Sequence, residues 1–513
     1  MPGPNVLFIT VDQWRGDCLS ALGHPVVETP NLDRLAARGV LFANHWASTA
    51  PCGPSRASLH TGMYLMNHRS VNNGTPLDAR FTNVALEAAK VGYDPVLFGY
   101  TDTSVDPRTV TDPTDPRLFD YESVLPGFTE VVRLRGDTRD TWAAWLGEHG
   151  VDVSDDPMEL YEPIPDYPGA SEHATSWAPA RFPAELSESA FLTDSIIEWI
   201  DRHRADRGEA PWFVHGAYLR PHPPHRAAEG YHDRYDPADG PAFRRHPDRD
   251  AELAAHPVLG LAAQLFGAPD ERELRQLRAT YWGTMTEVDH HLGRLFDHLD
   301  AIGAADDTVV VLTSDHGDQL GDHWFTEKLG WFDESYHVPM LVADPRPAAD
   351  TARGTRIDAF TEAVDVMPTI LTAMGADVPL QCDGHPLQPF LHGESPHLAG
   401  GWRDAAHVQW DFREGLAMLL AGRPGLTQED CNLDVLRTRR HKYVHVADGT
   451  SVLYDLDTDP DQLNDVSADP AYAPVLADLR GQLLEWHMRH AERTLTGEAI
   501  TPMGVVTRRE PRR

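Results

Sequence analysis

Short apolar runs that alternate with helical patterns constrain the fold of this chain more than any other feature. The first run, NVLFITV from Asn5 to Val11, has the length of a strand and is almost wholly apolar. Such a strand is typical of a parallel sheet that is covered on both faces. Similar runs follow at Pro95 to Tyr100, Pro211 to Leu219, Thr308 to Asp315 and Val338 to Pro345. The alternation predicts an α/β fold with a mostly parallel central sheet flanked by helices.

Helical patterns lie between most of these runs. In TPNLDRLAARG, Thr29 is placed to cap a helix that begins at Pro30 and ends before Gly39. Further along, apolar residues recur at steps of three and four and predict one face of a long amphipathic helix. These residues are Leu274, Leu277, Tyr281, Met285, Val288, Leu292, Leu295 and Leu299.

The chain divides into three predicted units. Residues 1–380 form the α/β unit, and its two stretches rich in Asp, Gly and Pro, Thr101 to Ser189 and Arg220 to Asp250, are expected to be loops around a site. Residues 381–492 are expected to form a smaller α+β unit, a small antiparallel sheet with one helix. Its hairpin turn is predicted at Asp448-Gly449 and its helix from about residue 471 to residue 489. The tail, residues 493–513, mixes apolar and charged residues and is predicted to reach a neighbouring subunit.

Charge and cysteine content exclude several classes of protein. With 44 basic and 79 acidic residues, the net charge of −35 argues against a nucleic-acid partner. An anionic substrate would therefore need a locally built site. The four cysteines are far apart in sequence, which favours a reducing compartment over a disulfide framework. The sequence shows neither a basic leader nor an apolar run of membrane-spanning length. We expect a cytoplasmic protein without a membrane partner.

Two polar pairs follow predicted strands, where open parallel sheets bind their ligands. They are Asp12-Gln13 and Asp315-His316. An Asp in such a place often only caps a helix or turns a loop. Two such pairs, with oxygen and imidazole donors, nevertheless favour a site for one divalent metal ion. The imidazole favours Mn²⁺, with Ca²⁺, Mg²⁺ and Zn²⁺ as alternatives.

The stretch TAPCGPSRASLHTG places Cys52 at the entrance of a short predicted helix that ends near Gly62. A helix N-terminus favours anions and lowers the pKa of a thiol. Three interpretations of Cys52 are open: an inert buried cysteine, a thiolate nucleophile without an assignable partner, or a modified residue. The third alternative explains the spacing, because Cys52, Pro54 and Arg56 form C-x-P-x-R, the recognition motif for oxidation of cysteine to formylglycine.

With this motif, the sequence resembles the formylglycine-dependent sulfatases and phosphonate monoester hydrolases of the alkaline phosphatase superfamily. The resemblance covers nearly the whole chain. It rests on NVLFITVDQWRGD, TPNLDRLAARGVLFANHW, CGPSRASLHTG, GYTDTSVDPR, RPHPPH, TSDHGDQLGDH and LYDLDTDPDQLND. The DQ and DH pairs are most similar to the phosphonate monoester hydrolase and choline sulfatase branches, and LFGYTDTSVDPR favours the first of these.

The resemblance implies the fold of the larger unit and a role for each site residue. Residues 1–380 would be an alkaline phosphatase-like catalytic domain. The metal ion would be held by Asp12, Gln13, Asp315, His316 and the modified Cys52. The catalytic residues would be Cys52, Arg56, which orients the nucleophile, His222 and Lys328. The substrate-binding residues would be Asn73, Tyr100 and Thr103.

The implied activity is the hydrolysis of small phosphonate monoesters or phosphodiesters, with promiscuous sulfatase activity. A formylglycine-generating enzyme would mature Cys52, and the resembling hydrolases form oligomers, often tetramers. Two alternatives remain: a dedicated sulfatase for aryl or choline sulfate, and a metal-binding protein without turnover if Cys52 is never oxidised. One position departs from the family pattern, because Asp102 stands where a Thr is expected and Thr103 follows it. A carboxylate there would repel an anion, so either it points away or the leaving group is cationic.

Overall fold

The computed structural model describes residues 3–136, 139–267, 270–396, 401–413 and 427–507. Within these ranges the strands are, in chain order, β1 Asn5–Val11, β2 Val40–Phe42, β3 His45–Trp46, β4 Pro95–Gly99, β5 Thr129–Arg133, β6 Phe213–Tyr218, β7 Thr308–Thr313, β8 Met340–Ala343, β9 Thr355–Ile357, β10 Thr361–Glu362, β11 Ala405–Asp411, β12 Asn432–Thr438, β13 His441–Val446, β14 Ser451–Asp455, β15 Glu498–Thr501 and β16 Gly504–Thr507.

The helices of the same ranges are α1 Pro30–Arg38, α2 Cys52–Thr61, α3 Leu65–His68, α4 Val84–Lys90, α5 Asp140–Glu148, α6 Glu188–Arg207, α7 Arg249–Ala254, α8 Pro257–Phe266, α9 Glu271–Ala301, α10 Asp333–Tyr336, α11 Val366–Met374, α12 Gln388–Leu391 and α13 Ala473–His490. The helix predicted from Pro30 and the long helix predicted from the apolar spacing are α1 and α9.

An eight-stranded sheet forms the centre, in the order β5-β4-β6-β1-β7-β8-β2-β9. All its pairs are parallel except those of β8, which runs antiparallel to β7 and to β2. The predicted α/β fold with a mostly parallel sheet is confirmed.

β1 lies in the middle of this sheet and is buried on both faces. Leu7, Ile9 and Val11 pack in a core with α1, α6 and α9, whereas Val6 and Phe8 pack in a second core with α4 and α11. Successive side chains of a strand point to opposite faces, so an apolar run without alternation is what this position requires.

A smaller antiparallel sheet, β11-β12-β13-β14, follows in the chain and packs against α13. The predicted turn at Asp448-Gly449 joins β13 to β14, and α13 lies close to the predicted helix. The predicted α+β character of this unit is confirmed, while its predicted boundaries at residues 381 and 492 stay predictions.

The first of the two loop stretches is not wholly irregular. Its β5 forms the edge of the main sheet, and α5 follows it. The residues TEVVR of β5 alternate between half-buried and exposed positions, so the strand lacks the apolar run that predicts β1, β4, β6, β7 and β8. The second stretch, Arg220 to Asp250, has no strand and reaches a helix only at its end, where α7 begins.

The described part of the tail contains a hairpin of β15 and β16, with exposed apolar side chains. Ile500 is 84% and Met503 is 94% exposed in the single chain. None of the helices in the described ranges combines the length and the apolar character needed to cross a membrane.

Candidate active site

The two predicted polar pairs meet at the carboxyl edge of the main sheet. Because β1 and β7 pair in parallel, with Thr10 opposite Thr313, both strands end at the same edge. Asp12 comes directly after β1, and a single residue, Ser314, separates Asp315 from the end of β7. Donor atoms of four buried residues lie within 4.8 Å of one another: Asp12, Cys52, Asp315 and His316.

Local sequence places Cys52 at the first position of α2. Pro51 precedes the helix and offers no side-chain cap, so the Gly53 N–H donates instead to Asn73 Oδ1 at 2.9 Å. The helix ends at Gly62, which adopts a left-handed conformation (φ 68°) that glycine reaches without strain. Cys52 is therefore held at the end of a rigid element that enters the site.

Arg56, one turn further along α2, joins the two acids. Its Nε donates to Asp315 Oδ2 and its Nη2 to Asp12 Oδ2, each at 3.0 Å, while Nη1 donates to the Tyr100 carbonyl at 3.0 Å. Arg56, Asp12 and Asp315 are all fully buried. The guanidinium fixes both carboxylates and offsets part of their charge.

The ring of His316 has one nitrogen committed and one directed at the site. Nδ1 lies 3.0 Å from the Gly317 carbonyl, which leaves Nε2 facing Cys52 Sγ at 3.1 Å. The same Nε2 is 3.9 Å from carboxylate oxygens of both Asp12 and Asp315. A hydrogen bond at one ring nitrogen is the usual way in which a metal-binding histidine is oriented.

Burial raises the pKa of the Cys52 thiol well above its ordinary value, and the neighbouring Asp12 adds to this effect. The expectation that the helix N-terminus lowers this pKa is therefore wrong. Exclusion of water and two carboxylates outweigh the helix dipole at this position.

The donor set fits a divalent cation. Asp12 Oδ1 is buried and has no hydrogen-bond partner in the described part of the chain. Burial raises the pKa of Asp12, and the nearby Asp315 raises it further, as expected for two acids with too little positive charge between them. Carboxylate oxygens and one imidazole nitrogen suit Mn²⁺, Mg²⁺ or Zn²⁺.

Gln13 is oriented by two acids that the sequence analysis did not single out. Its Nε2 donates to Asp318 Oδ2 at 2.5 Å and to Glu327 Oε2 at 3.2 Å. Its Oε1 must then face the other way, where Lys328 Nζ donates to it at 3.0 Å. Asp318 lies in the quoted motif TSDHGDQLGDH and Glu327 precedes Lys328, but their contact with Gln13 joins residues about 300 positions apart.

Three of the predicted residues present donors beside this cluster. Burial opposes the charge of Lys328, but the surrounding acids, Glu327 among them, raise its pKa above the ordinary value.

His222 directs Nδ1 at the Pro223 carbonyl, 2.8 Å away, and thereby leaves Nε2 free of this contact. Burial lowers the pKa of His222 well below its ordinary value, and Lys328 contributes. Asn73, whose Oδ1 accepts from Gly53, keeps its amide N–H groups for a ligand.

Tyr100 and Thr103 already have protein partners. The Tyr100 hydroxyl donates to Asp12 Oδ2, and its ring lies 4.0 Å below the Arg56 guanidinium. The Thr103 hydroxyl lies 3.0 Å from that of Thr101, which also donates to the Ser123 carbonyl. Tyr100 thus orients a carboxylate, and the substrate-binding role of both residues stays a prediction.

Comparison with known proteins agrees with this geometry. The sulfatase family model matches residues 4–376, and the model described as N-sulphoglucosamine sulphohydrolase, C-terminal, matches residues 321–489. The multifunctional alkaline phosphatase superfamily protein PehA of Trinickia caryophylli is 39% identical over 528 residues, which cover 99% of this chain and 100% of its own.

Two further matches differ in how close they are. The crystal structure of the phosphonate monoester hydrolase of Agrobacterium radiobacter is 42% identical, with a TM-score of 0.91 and coverage of 99% of this chain and 100% of its own. The arylsulfatase of Clostridium perfringens is 26% identical, with coverage of 94% of each chain.

Proposed function

This chain belongs to the sulfatase family of the alkaline phosphatase superfamily, and we propose that it is a metal-dependent hydrolase of phosphonate monoesters and phosphodiesters with promiscuous sulfatase activity. One observation carries the proposal. Cys52, the first residue of the C-x-P-x-R motif, begins α2 with its sulfur inside a buried cluster of two carboxylates and an imidazole. The match to a phosphonate monoester hydrolase from end to end supports the choice of substrate class.

The nucleophile of the proposal is formylglycine, made from Cys52 by a formylglycine-generating enzyme. Addition of water to the aldehyde gives two hydroxyl groups on one carbon. One hydroxyl attacks phosphorus, so that a bond from oxygen to phosphorus forms and the bond to the leaving group breaks. The second hydroxyl then loses its proton, the carbonyl re-forms, and the product leaves with the first oxygen. Residue 52 returns to the aldehyde without a second attack on an anionic phosphorus centre.

The proposed metal ligands are Asp12, Gln13 through Oε1, Asp315, His316 and the modified Cys52, with Mn²⁺ as the metal. When bound, a divalent cation lowers the pKa of a coordinated hydroxyl and offsets negative charge on the substrate. Arg56 holds Asp12 and Asp315 in fixed positions, as its hydrogen bonds to both carboxylates indicate.

The remaining polar groups are proposed to act on the substrate. Lys328 is a charged donor in a strongly acidic chain, and it can stabilise oxygens that become negative in the transition state. Asn73 offers its amide N–H groups to the same oxygens. His222 is the proposed acid for the leaving group, through Nε2, because Nδ1 is committed to the Pro223 carbonyl. Since its pKa is lowered in the free site, it needs the anionic substrate beside it to hold a proton.

Assembly and location complete the proposal. The exposed apolar side chains of the tail hairpin support a homo-oligomer, a tetramer by family resemblance, in which the tail contacts a neighbouring subunit. All four cysteines lie in the described ranges and none of them forms a disulfide bond, which agrees with a cytoplasmic enzyme.

Side-by-side kinetics test the substrate class. The three compounds are a nitrophenyl phenylphosphonate, a nitrophenyl phosphodiester and nitrophenyl sulfate, which share one leaving group. We expect the two phosphorus esters to have the higher kcat/KM, because the long loops leave room for a second substituent that a sulfate lacks. If the sulfate were ahead by more than about tenfold, or about 1.4 kcal/mol, the chain would be a dedicated sulfatase, in line with its arylsulfatase relative.

A Cys52→Ala protein serves as the control for all three compounds. It should turn over none of them while retaining the fold, which separates the enzyme from contaminating hydrolases. If the wild-type protein also turned over none and kept Cys52 unmodified, a metal-binding protein without turnover would be the better description.

A further inference from the structure

Asp102 carries a carboxyl oxygen that no donor in the described ranges reaches. The residue is 2% exposed, and Oδ1 is buried without a hydrogen-bond partner in the described part of the chain. A buried acceptor that stays unpaired is costly, so such groups are rare unless a ligand or water completes them. The mechanism proposed above gives this carboxyl no role.

The surroundings of Asp102 place it in the candidate active site. It follows the carboxyl end of β4, two residues after Tyr100. A Cβ built on Gly53 would lie 3.1 Å from the Asp102 carbonyl oxygen and 3.2 Å from Asn73 Oδ1. Asp102 and Asn73 therefore flank the residue that follows Cys52.

The charges that act on the Asp102 carboxyl are those of the site. They belong to Arg56, Asp12, Asp315 and Lys328. Asp102 is nevertheless not one of the four residues whose donor atoms cluster within 4.8 Å, so this geometry does not make it a metal ligand. Burial raises the pKa of Asp102 well above its ordinary value, the direction expected of a carboxyl that lacks a donor.

The backbone holds Asp102 in this place at some cost. Its φ of 50° is left-handed, a conformation that few residues other than glycine adopt, although Asp tolerates it better than most. The preceding residue, Thr101, is fixed in place because its hydroxyl donates to the Ser123 carbonyl and accepts from the Leu125 N–H, each at 2.9 Å. Strained backbone that the surroundings maintain is concentrated at functional sites.

In the described part of the chain, neither Arg56 nor Lys328 donates a hydrogen bond to Asp102. The Arg56 guanidinium bonds Asp12, Asp315 and the Tyr100 carbonyl, and Lys328 donates to Gln13 while lying 3.5 Å from Glu327. An ammonium group on a ligand would supply the donor that Asp102 Oδ1 lacks. A cationic donor also balances the charge that a carboxylate brings to an anion site.

We propose that Asp102 is a specificity-determining residue that accepts a hydrogen bond from an ammonium group on the substrate. The preferred substrates would be phosphodiesters or phosphonate monoesters with an aminoalkyl substituent. In an in-line displacement the leaving group lies opposite the nucleophile, whereas the backbone carbonyl of Asp102 lies next to Gly53, on the nucleophile's own side. The ammonium therefore belongs to the substituent that stays on phosphorus. This inference rests on the function proposed above.

The test compares two nitrophenyl phosphodiesters that differ only in the retained group, 2-aminoethyl or the similarly shaped propyl. We expect the wild-type enzyme to prefer the aminoethyl ester in kcat/KM by about tenfold or more, since buried charge pairs at interfaces couple at least this strongly. In Asp102→Asn, which keeps the shape and removes the charge, the ratio should fall toward one. If the Asn variant folds poorly, Asp102→Thr replaces it in the test, and the kcat/KM ratio of the two esters should again fall toward one.

A matched control and a binding measurement make the outcome decisive. Asp112→Asn removes one charge from an exposed turn of the same loop and should leave the ratio unchanged. Turnover of the propyl ester reports the proposed function, whereas the ratio reports Asp102. If neither ester is cleaved, calorimetry measures the affinity of each ester for two proteins, Cys52→Ala and the double variant Cys52→Ala with Asp102→Asn. The ratio of the two affinities in each protein then replaces the ratio of kcat/KM values. A wild-type ratio near one, or a preference that survives in both Asp102 variants, would overturn the inference.

Discussion

The part of the candidate site that we propose for the metal ion, the metal side, and the part that we propose for the substrate, the substrate side, are built in different ways. The metal side consists of Asp12, Cys52, Arg56, Asp315 and His316, which are all buried and lie at the ends of β1 and β7 or in the first turns of α2. The substrate side consists of Asn73, Asp102, His222 and Lys328, which all lie on loops. Regular elements fix the geometry on one side, and loops set what is recognised on the other.

The difference extends to how the polar groups are satisfied. On the metal side the Arg56 guanidinium donates to two carboxylates, and Asp12 Oδ1, which has no hydrogen-bond partner among the described residues, belongs to the cluster where a cation fits. On the substrate side Asp102 has an unpaired oxygen and Asn73 has spare donors. We infer that the metal side is preformed, whereas the substrate side is completed only by its ligand.

The strongest way to test this division is to remove one acid from the metal side. Asp315→Ala deletes a proposed metal ligand and one partner of Arg56. We expect the bound metal to be lost and kcat/KM to fall by about 1,000-fold or more, because charge stabilisation and nucleophile activation disappear together. Metal content by elemental analysis, measured beside the rate, checks this. A variant that keeps both metal and rate would place the metal site elsewhere.

On the substrate side, His222→Ala should lower the rate without removing the metal. A general acid contributes about 100- to 10,000-fold, and it matters most for poor leaving groups. The loss should therefore be large for an alkyl leaving group and much smaller for nitrophenolate. An equal loss with both leaving groups, or a loss of metal, would argue against the assigned role.

A smaller effect is expected at the boundary between the two sides. Asp318 Oδ1 accepts the N–H groups of Leu320 and Glu327, so in Asp318→Asn the new amide nitrogen would face the Gln13 amide nitrogen. Two donors repel, and the Gln13 amide should turn its oxygen away from the site. We expect metal affinity to fall by about 10- to 100-fold, the usual effect of a lost outer partner.

The rescue of this variant distinguishes orientation from general damage. In the double variant Gln13→Glu with Asp318→Asn, one carboxylate oxygen can accept from Asn while the other remains for the metal. Calorimetric metal titration should show recovered affinity in the double variant. Wild-type affinity in Asp318→Asn alone would mean that Asp318 does not orient Gln13.

The smallest effect on catalysis is expected in the tail, to which we assign no residue of the candidate site. Truncation before Thr494 removes the exposed apolar hairpin and should reduce the number of subunits per particle, with little effect on kcat/KM. Light scattering measures the first quantity and the nitrophenyl assay the second. An unchanged particle would count against an oligomerisation arm.

The sequence predicts the metal side much better than the substrate side. In the sequence, two apolar runs are each followed by an acid, Asp12 and Asp315. Parallel strands place both of these ends at the same edge of the sheet. The spacing of Cys52, Pro54 and Arg56 is equally local. The general architecture follows from the same periodicities, whereas the edge strand β5, with its partly exposed TEVVR, was missed.

The substrate side depends on contacts that no local pattern reveals. Asn73, His222 and Lys328 were predicted by family resemblance, and the structure gives them partners that the resemblance does not supply. The orientation of Gln13 by Asp318 and Glu327 arises only when distant loops meet. The pKa of Cys52 was predicted in the wrong direction, because burial and neighbouring acids are properties of the folded chain.

The central claim, a hydrolase whose nucleophile is formed from Cys52, is tested most directly by mass analysis of the peptide that contains this residue. The protein should be purified from its native host, or produced together with a formylglycine-generating enzyme, and its activity measured on the same sample. We predict an aldehyde oxygen in place of the thiol sulfur, in a fraction of molecules that rises and falls with kcat. Full turnover by protein whose Cys52 carries an unmodified thiol would contradict the account.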